Sequence, residues 1–168
     1  FERMAAVDVP CPETHVPTDP EDLDTLAADL SYPVVVKPRS KTIWQPDGSY
    51  EIHLVGQDNY ADSPTELRET YRSLASQATI PPSWLPIVQE YVPGETTTTV
   101  VLAEQGDIRA HIQERRLRTV PPSGGSSALL GVLDDPQMYR YAERIVANLG
   151  WTGPLQVEFM RRPDDEYV

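Results

Sequence analysis

Cysteine is almost missing from this 168-residue chain, with Cys11 alone. That excludes a disulfide framework and a cysteine-built zinc site. Lysine is nearly as scarce: of 14 basic residues, Lys37 and Lys41 are the two lysines and the other twelve are arginine. No apolar run approaches the length that crosses a bilayer, and no secretory signal pattern is present, so a cytoplasmic setting is the default expectation. Positive charge as a whole is short, with 26 acidic residues leaving a formal net charge of -12. Such a surface repels polyphosphate backbones and anionic membranes, which argues against both as partners and makes any phosphate site a local one. An acid-rich, lysine-poor composition suits a salt-adapted host, and a GC-rich genome would favour arginine over lysine as well. Absent too are the Gly-x-Ser-x-Gly elbow, the Walker loop, the Rossmann glycine pattern and a Cys/His nucleophile set. His15, His53 and His111 show no metal-ligand spacing.

What is present is a mixed pattern of elements. "FERMAAVDVP" predicts a short amphipathic helix closed by Pro10, and the Pro-broken "CPETHVPT" reads as extended. "TDPEDLDTLAADL" predicts a helix capped by Asp19, with Pro20 at its first position and Leu23, Leu26, Ala27 and Leu30 on one face. "PVVVKP" is too short for a helix and reads as a buried strand. Ile43–Gln45 and Tyr50–Val55 flank Pro46-Asp47-Gly48 as a hairpin. Ser63, Pro64 and Glu66 open a second long helix with a capping box, and Gly150 closes a third over "DPQMYRYAERIVANLG". "LPIVQEYVPGE" runs from strand into a glycine turn, "TTTTVVLAEQGDIRAHIQERRLR" reads as two antiparallel strands, "PPSGGSSALL" as a loop, and "PLQVEFMRRPDDEYV" as the start of a hairpin. The class is α+β, in two similar halves joined near residues 89–94 and divided as 1–90 and 91–168.

Four stretches carry chemistry, and each has a plainer alternative. Lys37 ends an apolar strand, where a solvated cation is ordinary. With lysine so rare, and with Arg39, Ser40 and Lys41 crowding after it, a compact ammonium serving a phosphate is the sharper reading. "VQEYVPGE" is either an edge strand with a turn or a hinge. A hinge would offer backbone groups to a purine edge from Gln89 and Glu90, apolar walls from Tyr91 and Val92, and a ribose contact from Glu95. "RRLRTVPPSGGSS" concentrates Arg115, Arg116 and Arg118, either as a solvated basic strand or as an anion site. Alternation puts Arg116 and Arg118 on one face, and Gly124-Gly125 permit close backbone approach to a phosphate. "LQVEFM" sets Glu158 on a largely apolar strand, facing solvent or holding Mg²⁺, which needs only one or two carboxylates besides phosphate oxygens.

In this order the four stretches resemble the ATP-grasp superfamily, and carbamoyl-phosphate-synthase-like ATP-grasp proteins above all. "VPCPET" resembles the lead-in segment, "YPVVVKPRS" the strand of the nucleotide-phosphate lysine, "IVQEYVPGE" the adenine hinge, and "NLGWTGPLQVEFM" the run into the first metal carboxylate. The resemblance implies a two-lobed core, each lobe an antiparallel sheet with helices, binding ATP with Mg²⁺ or Mn²⁺. Lys37, Arg39, Lys41, Gln89, Glu90, Tyr91, Val92, Glu95, Gly124 and Gly125 would bind nucleotide, Glu158 the metal, and Arg116 and His111 would line the acceptor side. It implies a substrate carboxylate phosphorylated by ATP to an acylphosphate and then captured by an amine or another nucleophile. The ribose carboxylate of the family often falls one position later, at Thr96. The Gly-rich lid is replaced by "RSKTIWQPDGSY". The Glu-x-Asn metal strand would lie beyond Val168, so the chain is expected to be a catalytically silent piece of a longer ligase, truncated at its C-terminus. An unpaired edge near residues 166–168 would let two copies pair. The other expectation is a nucleotide-binding or structural module without catalysis.

Overall fold

The computed structural model describes residues 2–19, 22–45, 47–76, 84–120 and 126–168. The chain divides into two units, Glu13–Tyr91 and a second made of Phe1–Pro12 with Val92–Val168. The first twelve residues therefore go with the C-terminal half, not with residues 13–90 as the halves read from sequence would have them.

In the first unit, β1 (Thr14–His15), β2 (Val34–Lys37), β5 (Tyr60–Ala61) and β6 (Ile87–Glu90) form an antiparallel sheet in the order β1-β6-β2-β5. One face is covered by α2 (Asp22–Asp29) and α3 (Pro64–Ala75). Val34, Val36 and Val88 from the sheet pack with Leu23, Ala27, Leu67, Tyr71 and Leu74 from the helices. The caps are local chemistry. Ser63 Oγ accepts from Glu66 N at 3.3 Å, and Glu66 Oε2 accepts from Asp62 N at 2.8 Å, one residue earlier than a standard capping box. For α2 the reach-back half is seen: Asp22 Oδ2 accepts from Asp19 N at 3.2 Å and from Thr18 Oγ1 at 3.0 Å, while Pro20 lies outside the described residues. The hairpin is β3 (Thr42–Trp44) with β4 (Tyr50–Ile52), so its second strand ends three residues before Val55. Pro46 of its turn lies outside the described residues.

The second unit begins with α1 (Glu2–Ala5) and continues through β7 (Glu95–Glu104), β8 (Asp107–Val120), β9 (Ser126–Leu133), α4 (Pro136–Leu149) and β10 (Gly153–Arg161). The antiparallel sheet has the order β10-β7-β8-β9. β7 and β8 join through Gln105 at φ 53° and Gly106 at φ 90°, the two positive-φ positions of a type I′ turn. Helix α4 starts on Asp135, whose side chain accepts from Gln137 N and Met138 N, and ends on Gly150 at φ 56°. It lays Met138, Ala142, Ile145 and Val146 over Val101, Ala103 and Phe159. Val9 joins this core with Met4 and Val7 against it, and Arg144 Nη1 donates to Asp8 O at 2.9 Å, which is why the first residues fold with this unit.

The stretch Ser126–Leu130, expected as loop, is strand. Its "SSALL" lacks alternation because the strand is held by backbone pairing to β8 and is exposed along residues 126–130. Residues 166–168 turn back and pair with the end of β10: Met160 N and Val168 O, Val168 N and Met160 O, and Arg162 N and Glu166 O are bonded.

Candidate functional site

In each sheet the helices cover one face and leave polar residues on the other. Lys37 and Val35 alternate away from Val34 and Val36, which are in the helix-side core. Lys37 Nζ donates to Gln89 Oε1 at 2.6 Å, and Gln89 Nε2 donates to Thr14 Oγ1 at 2.8 Å. Three strands thus fix one ammonium through a neutral amide, and Gln89 is itself buried. Sequence reading named Lys37 and Gln89 but not Thr14, whose only signal was a polar residue in an extended stretch. Arg39 Nε turns to Leu85 O at 2.8 Å, Lys41 is exposed, and Glu90 Oε1 accepts from Glu13 N at 3.0 Å. Tyr91 is exposed and meets Tyr60 edge-on with ring centroids 5.8 Å apart. Partial burial, then the Tyr91 phenol, push the Tyr60 hydroxyl above its ordinary value.

In the C-terminal unit, Leu155, Val157 and Phe159 face the helix side, so Gln156, Glu158 and Met160 face the other way. Register pairs Glu158 with Thr98, Thr98 with Glu114, and Arg116 with Leu130, keeping Arg116 on the Glu158 face. Arg116 Nη2 and Glu158 Oε1 form an ion pair, and Gln156 Nε2 lies 3.4 Å from the same oxygen. His111 sits on the opposite face, pairing in register with buried Val101 and meeting Tyr139 of α4 at a tilt, ring centroids 4.8 Å apart. Arg116 and His111 are therefore not brought together. Val92 is buried, and Glu95 approaches Arg115 Nη1 at 4.0 Å. Gly124 and Gly125 lie outside the described residues.

Among the described residues no three Cys, His, Asp or Glu side chains cluster as a metal site. Glu158 fits Mg²⁺ as a one-carboxylate ligand completed by phosphate oxygens, since a half-exposed carboxylate on an open sheet face is a hard oxygen donor within solvent reach. The pair with Arg116 is an obstacle of modest size: exposed ion pairs are worth roughly 0–1 kcal/mol, so a dication can displace the guanidinium at small cost.

No known protein-family model and no curated protein matches the chain. Solved structures do. An L-amino acid ligase from Bacillus licheniformis matches with TM-score 0.65 and 16% identity, over 99% of this chain and 36% of the ligase. A biotin carboxylase–β-γ-ATP complex from Campylobacter jejuni matches with TM-score 0.70 and 15% identity, over 99% of this chain and 37% of the other. An N5-carboxyaminoimidazole synthase from Aspergillus clavatus, in complex with ADP and 5-aminoimidazole ribonucleotide, matches with TM-score 0.66 and 13% identity, over 99% and 40%. The chain spans less than half the length of each.

Proposed function

We propose that this chain, which has the ATP-grasp fold of those structures, is the Mg-ATP-binding core of an ATP-dependent carboxylate–amine or related ligase. The observation that carries the reading is Lys37, held by Gln89 on the uncovered face of the N-terminal sheet. The Gln89 amide fixes where the ammonium stands, and a compact ammonium suits a phosphate group as a point charge. The base would lie beside exposed Tyr91 just past the end of β6, because Gln89 and Glu90 are paired within the sheet and Glu90 N donates to Glu13 O, while Val92 is buried. Arg39 and Lys41 add positive charge near the phosphates; Glu95 pairs in register with Arg161 on the helix side of its sheet, away from the Glu158 face, and is left out of the ribose role.

In the C-terminal unit Glu158 is the carboxylate for Mg²⁺, whose chemistry when bound is to neutralise phosphate oxygens. Arg116, released from Glu158, is then placed to orient a substrate carboxylate. That carboxylate attacks the γ-phosphorus, the bond to the β-phosphate oxygen breaks, and an acylphosphate and ADP result. An amine then adds to the acyl carbon and phosphate leaves with its electron pair. Nothing here asks for a covalent intermediate on the protein, so positioning and charge carry the rate. His111, on the helix side against Tyr139, is left out of this role.

The second reading, a nucleotide-binding module without turnover, is favoured by the Arg116–Glu158 pair, which leaves the metal carboxylate already neutralised. Isothermal titration of Mg-ATP into this chain tests the binding half. The expected result is binding weakened at least about tenfold by Lys37→Ala, the loss of one charged hydrogen bond of about 1.5–3 kcal/mol. Unchanged affinity in Lys37→Ala would sink the nucleotide role of that residue. ATP-dependent phosphate release above the Lys37→Ala control would decide for the ligase over the silent module.

A further inference from the structure

An edge strand presents unpaired N–H and C=O groups, and brevity, proline and charge are the usual protections against another strand pairing there. In the N-terminal sheet the edges are β1 and β5, of two residues each, and the hairpin strands β3 and β4 have three. In the C-terminal sheet one edge is β10, which carries Pro154, Glu158 and Arg161 and is met at its end by Val168, bonded to Met160 in both directions. The other edge is β9, eight residues long, with neither proline nor charge in "SSALLGVL". Among the described residues it is the only helix or strand longer than three residues without a charged side chain, in a chain of net charge -12.

The apolar side chains of β9 meet solvent on both faces. Alternation puts Leu130 and Val132 on the uncovered face with Arg116, and Leu129, Gly131 and Leu133 on the helix side. Leu129 and Leu130 are exposed, and Val132 is 77% exposed. The register with β8 is irregular only between Arg116 and Thr119, opposite the first half of β9. Leu130–Leu133 pair with Gln113–Arg116 without a break, so the twist that a bulge adds does not protect the second half.

We propose that β9 is a docking edge for a second copy of this chain, β9 pairing antiparallel with β9 so that two C-terminal sheets become one. An open edge fits an extended strand, because only extended backbone matches its row of donors and acceptors. Charge selects the copy. Two chains of net charge -12 repel, and β9 is where they can meet without an acid in the contact. The arginines of β8 lie one strand in, so like charges of the two copies would stand about 14 Å apart at about 4.8 Å per strand. That exceeds the screening length of about 8 Å at physiological salt. With a two-fold axis at Gly131, Leu130 of each copy faces Val132 of the other, and Leu129 faces Leu133, so apolar meets apolar on both faces. One strand pair is a small contact beside the roughly 800 Å² per partner of a standard interface, so the dimer is a weak one.

Sedimentation velocity over a concentration series, at physiological and at high salt, tests this. The expected result is a reversible dimer that tightens as salt rises. Its dissociation constant should increase at least about tenfold in Val132→Lys, which sets a charge on the edge, and stay unchanged in Trp44→Ser, which alters the exposed hairpin. A monomer at every concentration overturns the proposal, as does a dimer that keeps its constant in Val132→Lys, one lost in Trp44→Ser, or one that weakens with salt. If Val132→Lys fails to fold, Leu130→Lys with an unaltered constant overturns it instead. The proposal does not rest on the Mg-ATP reading, which is scored by Lys37 and by a ligand.

Discussion

The two units solve one architectural problem with different strands. Both make a four-stranded antiparallel sheet with helices on one face and a charged group on the other. In the N-terminal unit the strands run two to four residues, and the charge is a lysine held by a neutral glutamine. In the C-terminal unit they run eight to fourteen, and the charge is a glutamate held by an arginine. Short strands supply little pairing, so the first sheet depends on α2 and α3 for its stability. Long strands carry their own register, and a single helix suffices. The charged groups differ in sign and in partner as well: one is a cation bonded to an amide, while on the other sheet a guanidinium must move before Glu158 can take a cation.

The largest expected effect breaks the comparison at the cores. Leu67→Ala in the first unit and Met138→Ala in the second each remove a fully buried side chain and should cost about 2–5 kcal/mol. Urea unfolding followed by a probe in each unit reads the outcome. If each variant shifts only its own unit's transition, the units are independent; a shared shift makes them one cooperative body.

Next comes the contrast between the charged groups. Glu158→Gln should weaken Mg-ATP binding about tenfold and leave metal-free ATP unaffected, whereas Lys37→Ala should weaken both. Titrations with and without EDTA would show this, and an equal loss in both conditions for Glu158→Gln would remove its metal role.

A smaller effect concerns the head of α4. Burial opposes ionisation of Asp135, but bonds from Tyr167 Oη and from the N–H groups of Gln137 and Met138, with the charge of Arg161, outweigh it and hold its carboxyl below the ordinary 3.8. A depressed folded value means stability that is fully present above pH 3.8 and lost as pH falls through the folded value. Asp135→Ala should cost about 1 kcal/mol near pH 7, and the difference should vanish in acid. Thermal melts of the two proteins across pH 2–7 check it.

The smallest effect is Tyr71→Phe. The Tyr71 side chain is fully buried and its hydroxyl has no hydrogen-bond partner among the described residues, so its loss near pH 7 should be close to neutral. Desolvation pushes the hydroxyl up to about 12, with Arg39 opposing and Asp22 adding. A raised folded value gives stability present below pH 10 and lost as pH climbs toward 12. The parent should therefore lose more stability over that window than Tyr71→Phe, in which Tyr32, Tyr60 and Tyr167 still act, as alkaline denaturation of the two would reveal.

Local features were legible without coordinates. Ser63 with Pro64 and Glu66, and Gly150, mark helix ends because capping acts over three or four residues. Lys37 stood out because an apolar run ended on one of two lysines. Strand β9 was illegible, since "SSALL" has no alternation and its pairing partner lies in another strand. The first twelve residues were placed with the wrong half, because what holds them is the core under α4. Likewise Gln89 holds Lys37 across 52 residues and Arg116 meets Glu158 across 42, separations that no local pattern encodes.

The sequence by itself determined the α+β class, the three long helices, the cap at Ser63 and the close at Gly150, the lysine strand and the carboxylate strand, all through contacts within a few residues and through periodicity. Tertiary structure alone decided which charges meet. Sheet register, set by many backbone bonds at once, put Arg116 beside Glu158, sent His111 to the other face, and gathered Arg115, Arg161 and Arg162 at one corner.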